Sequence, residues 1–337
     1  MRERVSLPMD AAVRDVVVER DGDVLVVRWE GDGQDGDLEI GIGPTPEAAG
    51  HDRALTVSAA QRSARIEGFG AGRYYVSVSS PGAGATVSAE RRVPFAGVTN
   101  FRDLGGYPTR DGRRTRWGTV FRSDALHLLT DADLARYGSL GLHAVYDLRG
   151  EAERDRYPKP FLSLHLSLLA HVESAPSAAQ ADLARATDAA AGERVLRELY
   201  RGMLASAGPV FGRLLAGLAD PRRLPAVFHC TGGKDRTGIS AALLLEFLGV
   251  TRDDVLDDYE LTARYRQRGQ QTESYENLLA TGMAPEAAAV VLAAPRWAMA
   301  ETLQALDEEY GGAEAYLAGR AGLQRATLAK LRELLTG

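Results

Sequence analysis

"AVFHCTGGKDRTGISAALLLEFLG", residues 226–249, is the stretch from which the rest of the chain is read. It opens on a short apolar run suited to a buried strand. "CTGGKDR" is too polar and too rich in glycine to continue that strand. "TGISAALLLEFLG" then reads as a helix, stopped by Gly249. Strand, tight loop and helix in that order belong to a parallel sheet, where ligands bind beyond the carboxyl ends of the strands. Such a loop aims backbone N–H groups and the positive end of the helix at one point, which makes an anion site. Glycines let the backbone approach the anion closely.

The loop also holds the chain's only cysteine. A single cysteine cannot form an internal disulfide, and its polar, cationic neighbours are poor company for a structural thiol. Cys230 and Arg236 stand in Cys-x5-Arg spacing. A planar guanidinium closing the loop can grip two phosphate oxygens. A positive setting favours the thiolate, the reactive form. Cys230 is therefore a candidate nucleophile at the floor of an oxyanion cradle. Thr237 is placed to donate a hydrogen bond to its sulfur. His229 is a neighbour that tunes the cysteine rather than a base.

"HCTGGKDRTG" resembles the signature loop of cysteine-dependent phosphatases, "HCxxGxxRTG". The resemblance extends to "NFRDLGGY" at 100–107, "FRSDAL" at 121–126, "DLRGEAE" at 147–153 and "EEYGGAEAYL" at 308–317. Together these are similar to the bacterial tyrosine-phosphatase family that includes mycobacterial protein tyrosine phosphatase B. It covers about residues 95–337. The resemblance implies Cys230 as nucleophile, Arg236 as phosphate clamp, and backbone N–H groups from Thr231, Gly232, Gly233, Lys234 and Asp235. It implies a phospho-cysteine intermediate with no metal and no cofactor. Substrates would be phosphotyrosine proteins, with phosphoserine, phosphothreonine or phosphoinositides as further possibilities.

Such chemistry also needs an acid for the leaving group. The separate Trp-Pro-Asp type motif of ordinary tyrosine phosphatases is missing, and the corresponding region reads "LHLSLLAHVE". Asp235, inside the loop, is the first candidate; His171 and Asp147 come after it. Lys234 supplies a second cation, which suits a substrate with more than one phosphate. Asp147 and Arg149 end a strand on the same edge, where the bland alternative is a helix cap or an ion pair. Lys234 and Asp235 have the bland alternative of pairing with each other in solvent. Asn100, Arg102 and Asp103 read as pins for the connection entering the domain. "YELTARYRQRGQQTESYENLL" at 259–279 reads as amphipathic helix, with a mobile cover as the alternative.

The first 95 residues have another texture. "VVVERDGDVLVVRW" carries a hairpin signal at Asp21-Gly22. In "RYYVSVSS", Tyr74, Val76 and Val78 share one face, while Tyr75, Ser77 and Ser79 share the other. Trp29 after an alternating strand and the Tyr74-Val76-Val78 series resemble a fibronectin type III module. The expected architecture is a small all-β sandwich over 1–95, then an α/β domain over 96–337 with a mainly parallel sheet flanked by helices. The sandwich shows no catalytic cluster, and His51 reads as a surface histidine.

The 337 residues carry a net charge of −6, a poor match to a nucleic-acid binder. No apolar leader stands near the N-terminus, and "ISAALLLEFLGV" is too short to span a bilayer. The expected setting is cytoplasmic, with signal-less secretion as the alternative. No oligomeric state follows from the sequence. The rivals to a phosphotyrosine phosphatase are a phosphoinositide phosphatase, a non-catalytic phosphate-binding module and a rhodanese-like sulfur transferase.

Overall fold

The computed structural model describes residues 13–30, 36–49, 53–70, 72–81, 84–158, 163–167, 186–266 and 272–337. Before residue 90 its strands are β1 (Arg14–Asp21), β2 (Val24–Glu30), β3 (Asp37–Gly43), β4 (Arg53–Ser58), β5 (Ser63–Ile66), β6 (Tyr75–Ser79) and β7 (Thr86–Ala89). They form two antiparallel sheets, ordered β1-β2-β5 and β4-β3-β6-β7. Val18, Leu25, Val27 and Trp29 from one sheet meet Leu38, Ile40, Ile42, Val76 and Val78 from the other in a single apolar core. The expected hairpin forms, one residue further on: Asp21 pairs with Val24 across Gly22-Asp23, and Gly22 takes a φ of +64°.

The face expected to be polar in β6 is not. Val76 and Val78 point into the sandwich core, but Tyr75 is also buried. Tyr75 turns toward the part of the chain that follows the sandwich strands, where its hydroxyl crowds Gly118. A strand lying between two layers is covered on both faces, so alternation alone misreads its outer side.

The second sheet contains β8 (Arg102–Asp103), β9 (Val120–Ser123), β10 (Ala144–Asp147), β11 (Leu164–His165) and β12 (Ala226–His229), in the order β11-β10-β12-β9-β8. The first four in that order run parallel, and β8 pairs antiparallel at the edge. Helices α1 (Asp131–Ser139), α2 (Glu151–Arg156), α3 (Ala189–Ser206), α4 (Gly208–Leu218), α5 (Asp235–Phe247) and α6 (Arg252–Tyr265) follow in chain order. Then come α7 (Thr272–Ala280), α8 (Pro285–Leu292), α9 (Arg296–Tyr310), α10 (Ala313–Gly319) and α11 (Arg325–Leu335). Among the described residues no helix is long and apolar enough to cross a membrane.

Period-two alternation sorts the sheet's side chains. Val120, Ala144, Tyr146, Ala226 and Phe228 face the larger helical layer, packing with Leu196, Phe211, Leu214 and Leu243. Phe121, Val145 and Val227 face the smaller layer with Phe95, Phe101 and Leu140. Register aligns Asp147, His229 and Ser123 across three parallel strands at their carboxyl ends. The row behind it aligns Tyr146, Phe228, Arg122 and Arg102. The three central strands therefore deliver their last residues to one edge, and the loop after β12 starts there. Leu323, Leu328, Leu331 and Leu335 bury one side of the C-terminal segment, as their spacing predicts.

Candidate active site

The loop begins as β12 ends. Cys230, the first residue beyond the strand, is 2% exposed and packs at the end of the main core. The chain then crosses Thr231 to Lys234 and enters α5 at Asp235. Three donors hold the loop from behind. Ala125 N–H donates to the Thr231 carbonyl at 3.0 Å. Asn100 Nδ2 and Arg122 Nη2 donate to the Gly233 carbonyl at 3.0 and 2.9 Å. The loop's peptides are trans, so each N–H points away from the carbonyl of its own unit. Fixing the Thr231 and Gly233 carbonyls outward turns the Gly232 and Lys234 N–H groups the other way, toward the mouth.

Gly233 is required where it stands. Its φ is +61°, and a Cβ there would lie 2.7 Å from Asp124 N and Ser123 O. The supports are themselves buried. Asp124 accepts from the Thr99 and Asn100 backbone at 3.2 and 3.1 Å, which places Asn100. Asp258, in α6, pairs with Arg122 at 2.5 Å and Arg102 at 3.0 Å, and accepts the Tyr107 hydroxyl at 3.0 Å. Burial alone would raise the Asp258 carboxyl; the two guanidinium groups outweigh it and hold the group far below the usual carboxylate range. Arg122 is lowered to about 10 by burial and by Arg102 beside it.

Arg236 sits in the first turn of α5, and Glu153 of α2 grips it fork to fork. Nη1 lies 2.5 Å from Oε2, and Nη2 lies 2.8 Å from Oε1. The same carboxylate accepts the Thr231 hydroxyl and the Gly150 N–H. Burial would raise the Glu153 carboxyl, but its bonds and charge contact with Arg236 lower it to about 2. Arg236 has the mirror balance. Burial disfavours its charge, and Cys230 and Glu153 more than offset that.

Lys234 and Asp235 do pair, at 3.0 Å, but not in solvent. Lys234 is 2% exposed, and its ammonium also donates to the carbonyls of Val291 and Ala293 at the end of α8. Burial lowers its pKa against the opposing pull of Asp235. Asp235 Oδ1 also accepts the Tyr200 hydroxyl at 2.7 Å. Arg266, which caps α6, lays its guanidinium 3.4 Å from where a Gly232 Cβ would stand.

The other expected residues lie around this core. His229 is fully buried, with Nδ1 3.0 Å from the Cys230 carbonyl and Nε2 3.6 Å from Asp147. Asp147 and Arg149 form a buried ion pair at 3.0 Å, with Arg149 also holding the Tyr157 carbonyl. Thr237 is buried, and among the described residues its hydroxyl has no hydrogen-bond partner, so the expected donation to sulfur is not made here. His171, Glu173 and His51 lie outside the described residues.

The sequence reading missed Glu153, Tyr200, Arg122 and Asp258. Glu153 ends "DLRGEAE", but the motif does not say which residue it reaches. Asn100 was expected only to pin the connection, and it holds the loop as well. A separate cleft of about 520 Å³, lined by Arg73, Tyr75, Trp117 and Pro225, opens between the sandwich and the amino ends of the parallel strands. It lies at the opposite strand ends from Cys230.

Residues 93–337 match the model of a family described as the tyrosine phosphatase family. A Cupriavidus necator protein carrying a provisional tyrosine-protein phosphatase name is 30% identical, over 70% of this chain and 86% of its own length. The triple specificity protein phosphatase PtpB of Mycobacterium tuberculosis is also 30% identical, over 74% of this chain and all of that protein. A tyrosine-protein phosphatase of Nostoc commune is 31% identical, over 58% of this chain and 67% of its own.

Proposed function

The chain belongs to the tyrosine phosphatase family and is a phosphoric monoester hydrolase, and from that premise we propose that it works through a phospho-cysteine on Cys230. The observation that carries this reading is the pairing of Cys230, on the floor of a loop whose carbonyls are tied outward, with Arg236 at its rim. Cys230 Sγ attacks phosphorus. The inward N–H groups and Arg236 stabilise the three equatorial oxygens. Asp235 protonates the leaving oxygen, and water then releases phosphate from sulfur.

A phosphotyrosine protein is the preferred substrate, with specificity broad enough to include phosphoserine and phosphothreonine. The printed name of the mycobacterial relative supports that breadth. A phosphoinositide is the second reading. Lys234, the cation that pointed to it, is committed to Asp235 and to two carbonyls of α8, which favours the first. We also read residues 1–95 as a fibronectin type III-like domain and 96–337 as the phosphatase domain. The three- and four-stranded sheets around Trp29 support this.

Turnover of p-nitrophenyl phosphate tests the mechanism. Activity is expected without added metal and is expected to vanish in Cys230→Ser. Activity that survives the substitution overturns the reading. Comparing kcat/KM on a phosphotyrosine peptide and an inositol phospholipid decides between the two substrate classes.

A further inference from the structure

Asp235 is held by one oxygen only. Tyr200 of α3 donates to Oδ1 at 2.7 Å, and the Lys234 ammonium lies 3.0 Å from the same atom. The Tyr259 hydroxyl, from α6, lies 2.7 Å from that of Tyr200. Each tyrosine is 1% exposed. Burial raises both phenols far above their ordinary range, so both keep their protons. A phenol has one proton to give. Tyr200 donates its hydrogen bond to the carboxylate, so Tyr259 must donate its own to Tyr200. The chain therefore runs one way, from Tyr259 to Tyr200 to Oδ1. Among the described residues Oδ2 has no hydrogen-bond partner, and the side chain is 31% exposed.

We propose that Tyr200 is a positioning residue that confines the acid proton of Asp235 to Oδ2, the oxygen left open to the substrate. The inference rests on the reading of Asp235 as the acid. A proton on Oδ1 would face two donors already aimed at that atom, a phenol and an ammonium. A proton on Oδ2 meets neither. In the first step the Sγ–P bond forms and the bond from phosphorus to the leaving oxygen breaks. The leaving oxygen keeps that electron pair and takes the proton from Oδ2, and Asp235 is left as a carboxylate bound through Oδ1. The charged and titratable groups facing Asp235 are Lys234 and Arg236 from the loop and first turn, Tyr200 from α3 and Tyr259 from α6; Cys230 and Arg266 act in turn on Lys234.

The test is a leaving-group comparison. Phenyl phosphate expels a basic phenolate that needs protonation, and 2,4-dinitrophenyl phosphate expels one that does not. Asp235→Asn is expected to lower kcat on phenyl phosphate by roughly 10²-fold or more and to spare the dinitrophenyl ester. Tyr200→Phe keeps the ring and removes the donor. It is expected to lower kcat on phenyl phosphate by about 10-fold, with KM unchanged and the dinitrophenyl ester within about 2-fold. Tyr259→Phe should show the same pattern, more weakly. The ratio of the two rates, taken on one preparation, is independent of how much of the variant is folded. Equal losses on both esters in Asp235→Asn remove the acid reading itself. If Asp235→Asn discriminates between the esters but Tyr200→Phe lowers both equally or neither, the acid stands and the role of Tyr200 is overturned.

Discussion

Glu153 holds Arg236 by both terminal guanidinium nitrogens, at 2.5 and 2.8 Å, and takes the Thr231 hydroxyl on the same carboxylate. One acidic side chain on α2 thus orients the residue at each end of the loop. Among the described residues, the Nε edge of Arg236 is left out of this grip.

Removing that orientation should slow catalysis more than it weakens folding. Glu153→Ala is expected to lower kcat/KM on p-nitrophenyl phosphate by roughly 10²-fold, the scale of an ångström-sized misplacement. Initial rates at varied substrate check this. The pair also has a pH signature. The Glu153 carboxyl is lowered from 4.5 to about 2 in the folded chain. Its stabilisation is therefore complete above pH 4.5 and is lost as pH falls toward 2. Thermal midpoints of the wild type and Glu153→Gln should differ most above about pH 5 and converge only as pH falls through about 2, as set by those limits.

Gly233→Ala should disable the loop without touching its chemistry. The backbone φ of +61° costs a residue with a side chain about 1–2 kcal/mol, and the new Cβ meets backbone atoms at 2.7 Å. Those atoms belong to Ser123 and Asp124, which cannot give way without moving β9. A fall in kcat/KM of roughly 10²-fold or more is expected. Near-wild-type turnover of p-nitrophenyl phosphate would show that the loop has slack the contacts deny.

Asp258 is a buried counter-ion on which stability depends. It is 1% exposed and neutralises two buried guanidinium groups, of which Arg122 supports the loop. Asp258→Asn leaves both cations short of a counter-charge, and about 3–5 kcal/mol of stability is expected to go. Urea unfolding followed by circular dichroism measures this, and a loss below about 1 kcal/mol contradicts it.

Arg73 joins the sandwich to the sheet that carries the loop. Its guanidinium lies between the rings of Tyr75 and Phe121, at 4.9 and 5.0 Å, and pairs with buried Asp103 at 2.6 Å. Arg73→Ala is expected to leave turnover of p-nitrophenyl phosphate within about 2-fold. It should split a single calorimetric transition into two, because the term coupling the units is lost. One unsplit transition in the variant argues against that role.

Cys230 and Arg236 were legible as a candidate pair because their spacing is local. A strand, five loop residues and a helix form one continuous piece of chain, and Cys-x5-Arg is written along it. Part of the secondary structure was legible for the same reason, through periods of two and 3.6 residues, whereas β5, β7, β8, β11 and helices α2, α4 and α8 to α10 were not read from the sequence. Tyr75 escaped because the same alternation describes a strand facing water and a strand facing another domain. Lys234 and Asp235 were seen as a pair, but not that Lys234 is buried against the end of α8, 57 and 59 positions away.

Local sequence is enough to specify the strand, the loop, the helix and the residue types a phosphate would meet there. Tertiary structure alone decided which way the loop faces and which groups hold its charged residues. Glu153 reaches Arg236 across 83 positions, Tyr200 reaches Asp235 across 35, and Asn100 reaches Gly233 across 133. Hydrogen bonds and ion pairs act over about 3 Å. Which distant residues come within that range is set by the register of β9, β10 and β12 and by the packing of α2, α3 and α6, and no local pattern encodes either.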